Sequence, residues 1–268
     1  MDAQPYPDVP ADVGAQYERG LVPIIFAPWA ALLIERLDPQ PAERVLDVAC
    51  GTGIVTRLAA ERVGPSGTVV GADSSPAMLA AARRASAGMP IDWREADAAA
   101  LPFADASFDL ILCQQGLQYF PDRVGALRQM RRVLTPGGRI GLAVFGPQQE
   151  SPGYDAVGHV LTRYLGPEAG ALPLFALGDA DLLHGLAAEA GFEQIEVRHE
   201  VLSVRCASAG DFLDRLLAGS PIMRRALSAL REEERRLMVE AYGAAVAQYV
   251  RDEGFVFPMT SNLLIARG

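Results

Sequence analysis

Short apolar runs alternate with amphipathic stretches between residues 44 and 145. The apolar runs have the length of buried strands and cover residues 44–49, 68–72, 91–95, 108–113 and 139–145. Apolar residues with helical spacing follow the first run and predict a first helix. A second helix is predicted from Pro76 to about residue 88, with Ser75 as its N-cap. A third is predicted over residues 124–134. This alternation predicts a parallel sheet that is covered on both faces.

The two ends of the chain lack this regular alternation. A helix is predicted over residues 24–37, before the first strand. After residue 147 the pattern predicts helices over 154–165, 180–190, 209–217 and 232–250, and strands over 192–204 and 255–266. We interpret residues 1–40 as an N-terminal helical lid and 41–146 as a cofactor-binding core. Residues 147–268 are interpreted as the remainder of the sheet, with helical cap segments over the substrate side.

Composition and charge exclude several classes of protein. Half of the 268 residues are hydrophobic, which is enough for a packed core and excludes a disordered chain. The formal net charge is −9, which disfavours partners with phosphate backbones or anionic lipid. We therefore expect no nucleic-acid partner and no membrane partner.

Neither a targeting segment nor a metal site is predicted. The first 20 residues contain acids and prolines where a signal peptide needs a basic start and an apolar core. The apolar stretch 24–34 contains Pro28 and is too short to span a bilayer. The three cysteines are far apart and form no CxxC pair, which predicts no metal ligand set and suits a reducing compartment. These features predict a cytoplasmic protein.

The segment VLDVACGTG at residues 45–53 is the most informative part of the sequence. A hydrophobic strand leads into a turn in which Gly51 and Gly53 have no side chains, so a ligand can lie against the backbone. A β-carbon at either glycine would stand where the ligand or a positive-φ backbone must be. An ordinary βα turn is the alternative. The dinucleotide-binding pattern GxGxxG fails, because Thr56 occupies the third glycine position.

Three acidic residues lie at or near the ends of successive predicted strands. Asp47 is inside the first strand and needs a partner, since an unpaired buried carboxylate is costly. Asp73 follows Gly53 by 20 residues, the spacing of a carboxylate that binds a ribose diol; a solvated turn residue or helix cap is the alternative. Asp97 can accept from an adenine amine while the Ala98 amide donates to a ring nitrogen. Together these acids predict a nucleotide-type site.

These motifs resemble class I S-adenosylmethionine-dependent methyltransferases, and in particular the small-molecule group similar to ubiquinone/menaquinone-biosynthesis methyltransferases. The resemblance rests on VLDVACGTG, on GADSS at residues 71–75, on DAAALPFADASFDLILCQQGLQYFPD at 97–122 and on LRQMRRVLTPGGRIGLAVF at 127–145. It covers residues 44–146. It implies an α/β fold with a Rossmann-like, mostly parallel sheet, an antiparallel last strand and a helical cap.

The resemblance also implies where S-adenosyl-L-methionine binds. The turn backbone holds the methionine part of this cofactor, Asp73 binds the ribose hydroxyls, and Asp97 with Ala98 contacts the adenine edge. Gln114 faces the sulfonium. The cofactor-binding residues implied by the resemblance are Asp47, Ala49, Gly51, Gly53, Asp73, Ser74, Met78, Asp97, Ala98 and Gln114.

The pocket of the methyl acceptor is expected to be lined by the least family-like segments, and six residues are candidates for contact with the acceptor. Tyr17, Phe26 and Trp29 form a predicted aromatic cluster that covers the cofactor or a flat substrate; packing of the first helix onto the core is the alternative. Gln115 can orient the acceptor, and Tyr119 can hydrogen-bond an acceptor oxygen or act as an aromatic plug. His159 can line the cap or be a solvated helix residue.

No catalytic residue is assigned, because methyl transfer is an in-line displacement in which proximity and orientation can dominate. We therefore expect an S-adenosylmethionine-dependent methyltransferase that acts on oxygen, carbon or nitrogen of a small-molecule acceptor. A binding protein or non-methylating enzyme that retains the cofactor is the alternative. A macromolecule methyltransferase is disfavoured by the charge.

Overall fold

Eight strands of the described residues form a single mixed sheet. The structure, a computed structural model, describes residues 11–220, 223–224 and 230–268. The strands are β1 (Arg44–Val48), β2 (Thr68–Asp73), β3 (Ile91–Glu95), β4 (Phe108–Gln114), β5 (Leu134–Phe145), β6 (Glu193–Cys206), β7 (Val250–Arg251) and β8 (Gly254–Arg267). Their order is β3–β2–β1–β4–β5–β8–β6, with β7 paired to β8.

The direction of the strands confirms the predicted fold class. β1 pairs in parallel with β2 and β4, and β3 and β5 extend this parallel block on either side. β8 lies antiparallel between β5 and β6. The sheet is therefore Rossmann-like and mostly parallel, with an antiparallel last strand. The carboxyl ends of β1, β2 and β4 meet at one edge, where open α/β sheets bind their ligands.

Helices cover both faces of the sheet. They are α1 (Ala11–Gly20), α2 (Ala27–Leu37), α3 (Ile54–Val63), α4 (Pro76–Ala85), α5 (Arg123–Val133), α6 (Pro152–Leu165), α7 (Pro167–Gly170), α8 (Ala180–Glu189), α9 (Ala209–Gly219) and α10 (Glu232–Ala245). Alternate residues of β1 face opposite sides, so Val45 packs with α2 and α3, whereas Leu46 packs with α5 and α8. The central strands are thus buried on both faces.

The start of the chain differs from the prediction. Residues 1–10 of the predicted lid lie outside the described residues. The single predicted helix over 24–37 is a π-helical turn, Val22–Phe26, followed by α2, and α1 was not predicted at all. Pro28 is tolerated because it lies in the first turn of α2, where its missing N–H is not needed.

The second helix of this region is a core helix. Trp29, Leu33 and Leu37 of α2 are buried in the hydrophobic core, so residues 27–37 of the predicted lid pack against the sheet. Within the described residues, no single helix is long and apolar enough to cross a membrane. Only the pair of segments 13–20 and 22–37, bent by 42°, has the length and composition for it.

Two further element boundaries also differ. The predicted helix over 232–250 ends at Ala245, because Val250 turns back and pairs with Phe255 in a hairpin. The strand expected to begin at residue 139 begins at Leu134, directly after α5. Leu134 pairs with Phe108, and the ladder is then irregular up to Arg139, so the Pro136-Gly137-Gly138 turn interrupts the pairing instead of preceding the strand.

Candidate functional site

A cavity of about 1040 Å³ opens at the carboxyl edge of the parallel block, which is the size range of ligand pockets. One side is formed by strand ends and the turns that follow them. The other is formed by the N-terminal segment, α6, the segment 172–174 and the end of α9. Thirteen predicted site residues line it: Tyr17, Phe26, Asp47, Ala49, Gly51, Asp73, Ser74, Met78, Asp97, Ala98, Gln114, Gln115 and Tyr119.

The glycine turn has a left-handed backbone at three positions. Ala49 has φ +57°, Gly51 has φ +56° and Gly53 has φ +84°. A β-carbon at Gly51 would meet no atom within 4 Å, so this residue leaves open space for a ligand. A β-carbon at Gly53 would overlap the ring of Trp93. Gly53 is therefore needed for its backbone conformation, as the predicted positive-φ backbone requires, and for packing against Trp93. Its contact with the cofactor stays a prediction.

Asp47 is 1% exposed and receives its hydrogen bond from α3. The Thr56 hydroxyl donates to Asp47 Oδ2 at 2.6 Å, and the Thr56 backbone also hydrogen-bonds the carboxylate. Thr56, which breaks the dinucleotide pattern, thus has a structural function of its own. Asp47 Oδ1 has no partner among the described residues. Burial raises the pKa of Asp47 to about 7, and the bonds from Thr56 oppose this rise.

Asp73 joins the end of β2 to the glycine turn. Its Oδ2 accepts from the Gly51 backbone N–H at 2.8 Å, and its Oδ1 accepts from the Ser75 N–H at 2.8 Å. Burial raises the pKa of Asp73, and both backbone bonds counteract it. Each carboxylate oxygen can accept a further hydrogen bond, so the fixed carboxylate can still receive a diol.

The third acid has a more open environment. Asp97 is exposed, and its Oδ1 accepts from the Ala99 N–H at 2.9 Å, while Ala98 is buried next to it. Ser75 caps α4 as predicted, with its Oγ 3.4 Å from the Met78 nitrogen. We call the residues Asp47, Asp73 and Asp97 the carboxylate edge.

The two glutamines after β4 connect the cavity to distant segments. Gln114 Nε2 donates to the Phe26 carbonyl at 2.9 Å, and Gln114 Oε1 is buried without a partner among the described residues. Gln115 has φ +54°, and its Nε2 donates to Ser261 Oγ at 3.2 Å. Gln114 therefore holds the N-terminal segment over the cavity, and Gln115 is fixed by β8.

Four rings in series form what we call the aromatic wall: Tyr17, Phe26, Phe145 and Tyr154. Tyr17 and Phe26 stack with centroids 4.8 Å apart, Phe26 and Phe145 lie 6.3 Å apart, and Phe145 and Tyr154 lie 6.5 Å apart. Burial raises the pKa of Tyr17 well above its ordinary value.

Sequence reasoning missed most of the acceptor side of the cavity. Its apolar and aromatic lining residues beyond the predicted ones lie at seven places along the chain: Leu21, Phe120, Phe145, Tyr154, Leu172–Leu174, Leu216 and Met223. The position of Phe145 at the carboxyl end of β5 was a usable signal, because the neighbouring strand ends carry the predicted cofactor residues. Phe120 lies in the family-like segment 97–122, and the others lie in helices and loops with no recognisable motif.

Two predicted acceptor residues do not reach the cavity. Trp29 is 1% exposed and packs in the hydrophobic core, so the packing alternative holds for it. His159 lies on the outer side of α6 with its side chain 75% exposed, and its Nδ1 bonds to the Asp155 carbonyl at 2.9 Å. It is a solvated helix residue.

The fold and the carboxylate edge together are those of a Rossmann-like protein with a site for a nucleotide-type ligand. The methyltransferase-domain family matches residues 45–138. A 2-phytyl-1,4-naphtoquinone methyltransferase from Thermosynechococcus vestitus is 43% identical over 46% of this chain and 55% of its own length. The chain thus spans about half the length of this relative.

Two further proteins resemble a larger part of the chain. Nocamycin O-methyltransferase of Saccharothrix syringae is 36% identical over 69% of this chain and 71% of its own length. The structure of Haemonchus contortus phosphoethanolamine N-methyltransferase 2 with S-adenosyl-L-methionine shares the fold, with a TM-score of 0.59 at 20% identity over 95% of this chain and 56% of that one. The chain belongs to the family of S-adenosylmethionine-dependent methyltransferases.

Proposed function

We propose that this protein is an enzyme that transfers the methyl group of S-adenosyl-L-methionine to oxygen, carbon or nitrogen of a small metabolite. The observation that carries the proposal is Asp73, which is held by the glycine turn at the edge of a cavity large enough for two small molecules. We further propose that it acts in the cytoplasm and has no nucleic-acid or membrane partner, which its formal charge of −9 favours.

The residues at this edge fit the cofactor. The unpartnered Asp47 Oδ1 and Gln114 Oε1 are acceptors on the cavity side of β1 and β4, and a ligand ammonium or other donor would satisfy them. The open space at Gly51 admits a ligand against the backbone. Asp73 would hold the ribose hydroxyls, and Asp97 with Ala98 would contact the adenine edge. When bound, the cofactor supplies an electrophilic methyl group on a sulfonium.

The chain would contribute position and shielding to the reaction. The hydrogen bond from Gln114 keeps Phe26, and with it the stacked Tyr17, over the cavity. These rings exclude water from the reacting centre and restrict the acceptor to a narrow range of orientations, which is where most of the rate enhancement of such a displacement originates.

Incubation of the protein with methyl-labelled cofactor and cell extract tests the proposal. We expect label in small organic-soluble products, and much less of it with Asp73→Ala at a cofactor concentration near the Kd of the wild type. Label in macromolecules would indicate a macromolecule methyltransferase. Binding of S-adenosylhomocysteine without any transfer of label would support a protein that retains the cofactor for another purpose.

A further inference from the structure

The two strands at the ends of the sheet differ in length and in exposure. β3 has 5 residues, whereas β6 has 14 and pairs through one of its two edges, with β8, among the described residues. Val201 in the middle of β6 is 57% exposed, the largest value for any large hydrophobic residue in the described part of the chain. A long edge strand presents a row of backbone N–H and C=O groups that can pair with another strand. β6 thus has the length and the exposed apolar side chain of a strand that pairs with another chain.

The regular part of β6 carries alternating charges on one face. The bulge of the strand lies between Glu193 and Glu196, and the pairing with β8 is continuous from Glu196 onward. Glu196, Arg198 and Glu200 share a face, since successive side chains of a strand alternate between faces. Arg198 bonds to Glu196 at 2.7 Å, and Glu200 accepts from Arg36 of α2 at 2.8 Å. The Arg198 side chain is still 42% exposed, so it can also contact a carboxylate of another chain.

One register of self-pairing places opposite charges next to each other. In an antiparallel pair of β6 strands centred on His199, Arg198 of each copy lies opposite Glu200 of the other. Val197 then lies opposite Val201, and two-fold symmetry repeats both contacts. Moving the centre by one residue places either Arg198 or Glu200 opposite its own equivalent, and like charges in direct opposition are destabilising. The charge order of β6 therefore favours the pair centred on His199.

The residue at this centre leaves the outer edge of β6 accessible. His199 Nδ1 bonds to Asn262 Oδ1 at 2.9 Å, and Asn262 belongs to β8, on the inner side of β6. The imidazole is therefore held on the side away from a second copy. A centre two residues earlier, on Val197, would bring Val201 opposite the bulge, where the strand is irregular. The register centred on His199 keeps the bulge away from the exposed valine.

We propose that a second copy of this chain binds along β6, antiparallel and centred on His199, so that two sheets join into one continuous sheet. The pairing gives the backbone of the outer edge hydrogen-bond partners and covers Val201 with Val197 of the other copy. The two contacts between Arg198 and Glu200 offset part of the repulsion between chains with a formal charge of −9 each. Residues 196–202 do not line the cavity at the carboxylate edge, so this inference is independent of the proposed function.

Sedimentation velocity of the full chain at concentrations up to about 100 µM tests the pairing, and we expect a dimer in this range. Arg198→Glu should weaken the dimer at least about tenfold, because it turns two attractive contacts into two repulsive ones. Glu200→Arg should do the same, and the double variant Arg198→Glu/Glu200→Arg should regain most of the affinity. Arg94→Glu is the matched control on β3, since Arg94 bonds to Asp92 at 2.7 Å in the same two-residue spacing. It should leave the dimer unchanged.

Cysteine cross-linking measures the register. A mixture of Val197→Cys and Val201→Cys proteins should form a disulfide-linked dimer under mild oxidation, because opposed residues of antiparallel strands have Cα atoms about 4.5–5.5 Å apart. Either variant alone should not, since its two copies lie about 13 Å apart along the strands. The three natural cysteines are buried. A monomer at about 100 µM, a dimer that Arg198→Glu leaves intact, an equal loss with Arg94→Glu, or cross-linking of Val201→Cys alone would overturn the proposal.

Discussion

The carboxylate edge and the aromatic wall face the same cavity, but the chain assembles them differently. The bonds that organise the edge are short in sequence: Thr56 to Asp47 spans 9 residues, and Gly51 to Asp73 spans 22. On the acceptor side, Gln114 reaches Phe26 across 88 residues, and Gln115 reaches Ser261 across 146. We therefore propose that a cofactor shared by a whole family is bound by one compact segment, whereas the acceptor meets side chains from many parts of the chain.

The largest expected effect is a difference in the stability lost when each of the two glycines of the turn is substituted. Gly53→Ala should destabilise the protein by the strain of a left-handed residue, about 1–3 kcal/mol, and by overlap with the Trp93 ring, about 1–3 kcal/mol more. Gly51→Ala is the matched control, because it adds strain of about 1–2 kcal/mol without a clash. Denaturant unfolding measures both. Equal losses of stability at the two positions would contradict the role given to Trp93.

Asp47 should make stability fall as pH rises. Its pKa is about 7 in the folded protein and near its ordinary value of 3.8 in the unfolded chain, so the folded state binds more protons between pH 4 and 7. The free energy of unfolding should therefore decrease over this range, by at most about 1.4 kcal/mol per pH unit. Asp47→Asn should remove this contribution. Unfolding curves of both proteins from pH 4 to 8 measure the difference, and parallel pH profiles would contradict the shift.

A smaller effect distinguishes residues 17–26 of the predicted lid from residues 27–37. Because α2 is already buried, cofactor binding should slow hydrogen exchange in residues 17–26 but not in 27–37. The slowing should reach at most about 100-fold at a ligand concentration 100 times Kd. Mass-spectrometric exchange with and without S-adenosylhomocysteine provides the measurement. Protection confined to residues 45–115 would mean that no part of the N-terminal segment closes on the ligand.

The comparison also explains what the sequence could predict. The parallel sheet follows from apolar runs of strand length, and the positions of Asp47, Asp73 and Asp97 follow from their place at strand ends. All of these are local patterns. The partner of Asp47 was missed because Thr56 was considered only as an absent glycine, although a hydroxyl one helical turn into α3 can reach back to the strand.

The aromatic wall could not be predicted from the sequence, for a different reason. Phe145 meets Phe26, and Tyr154 meets Phe145, only in the folded sheet with α6 packed on it, so neither periodicity nor spacing records these contacts. Trp29 was grouped with Tyr17 and Phe26 in the predicted aromatic cluster because all three belong to the N-terminal segment. In the structure Trp29 is buried in the hydrophobic core, which was the alternative. Aromatic composition alone cannot distinguish these two positions.

A calorimetric measurement tests most directly the proposal that the carboxylate edge, and not the aromatic wall, binds the cofactor. S-adenosylhomocysteine is titrated into wild type, Asp73→Ala and Phe26→Leu, with thermal unfolding to establish that each variant is folded. Loss of the Asp73 carboxylate should weaken binding by about 1.5–3 kcal/mol, which is roughly 10- to 150-fold, whereas Phe26→Leu should change it by less than about threefold. Equal affinity of wild type and Asp73→Ala for S-adenosylhomocysteine would contradict the account.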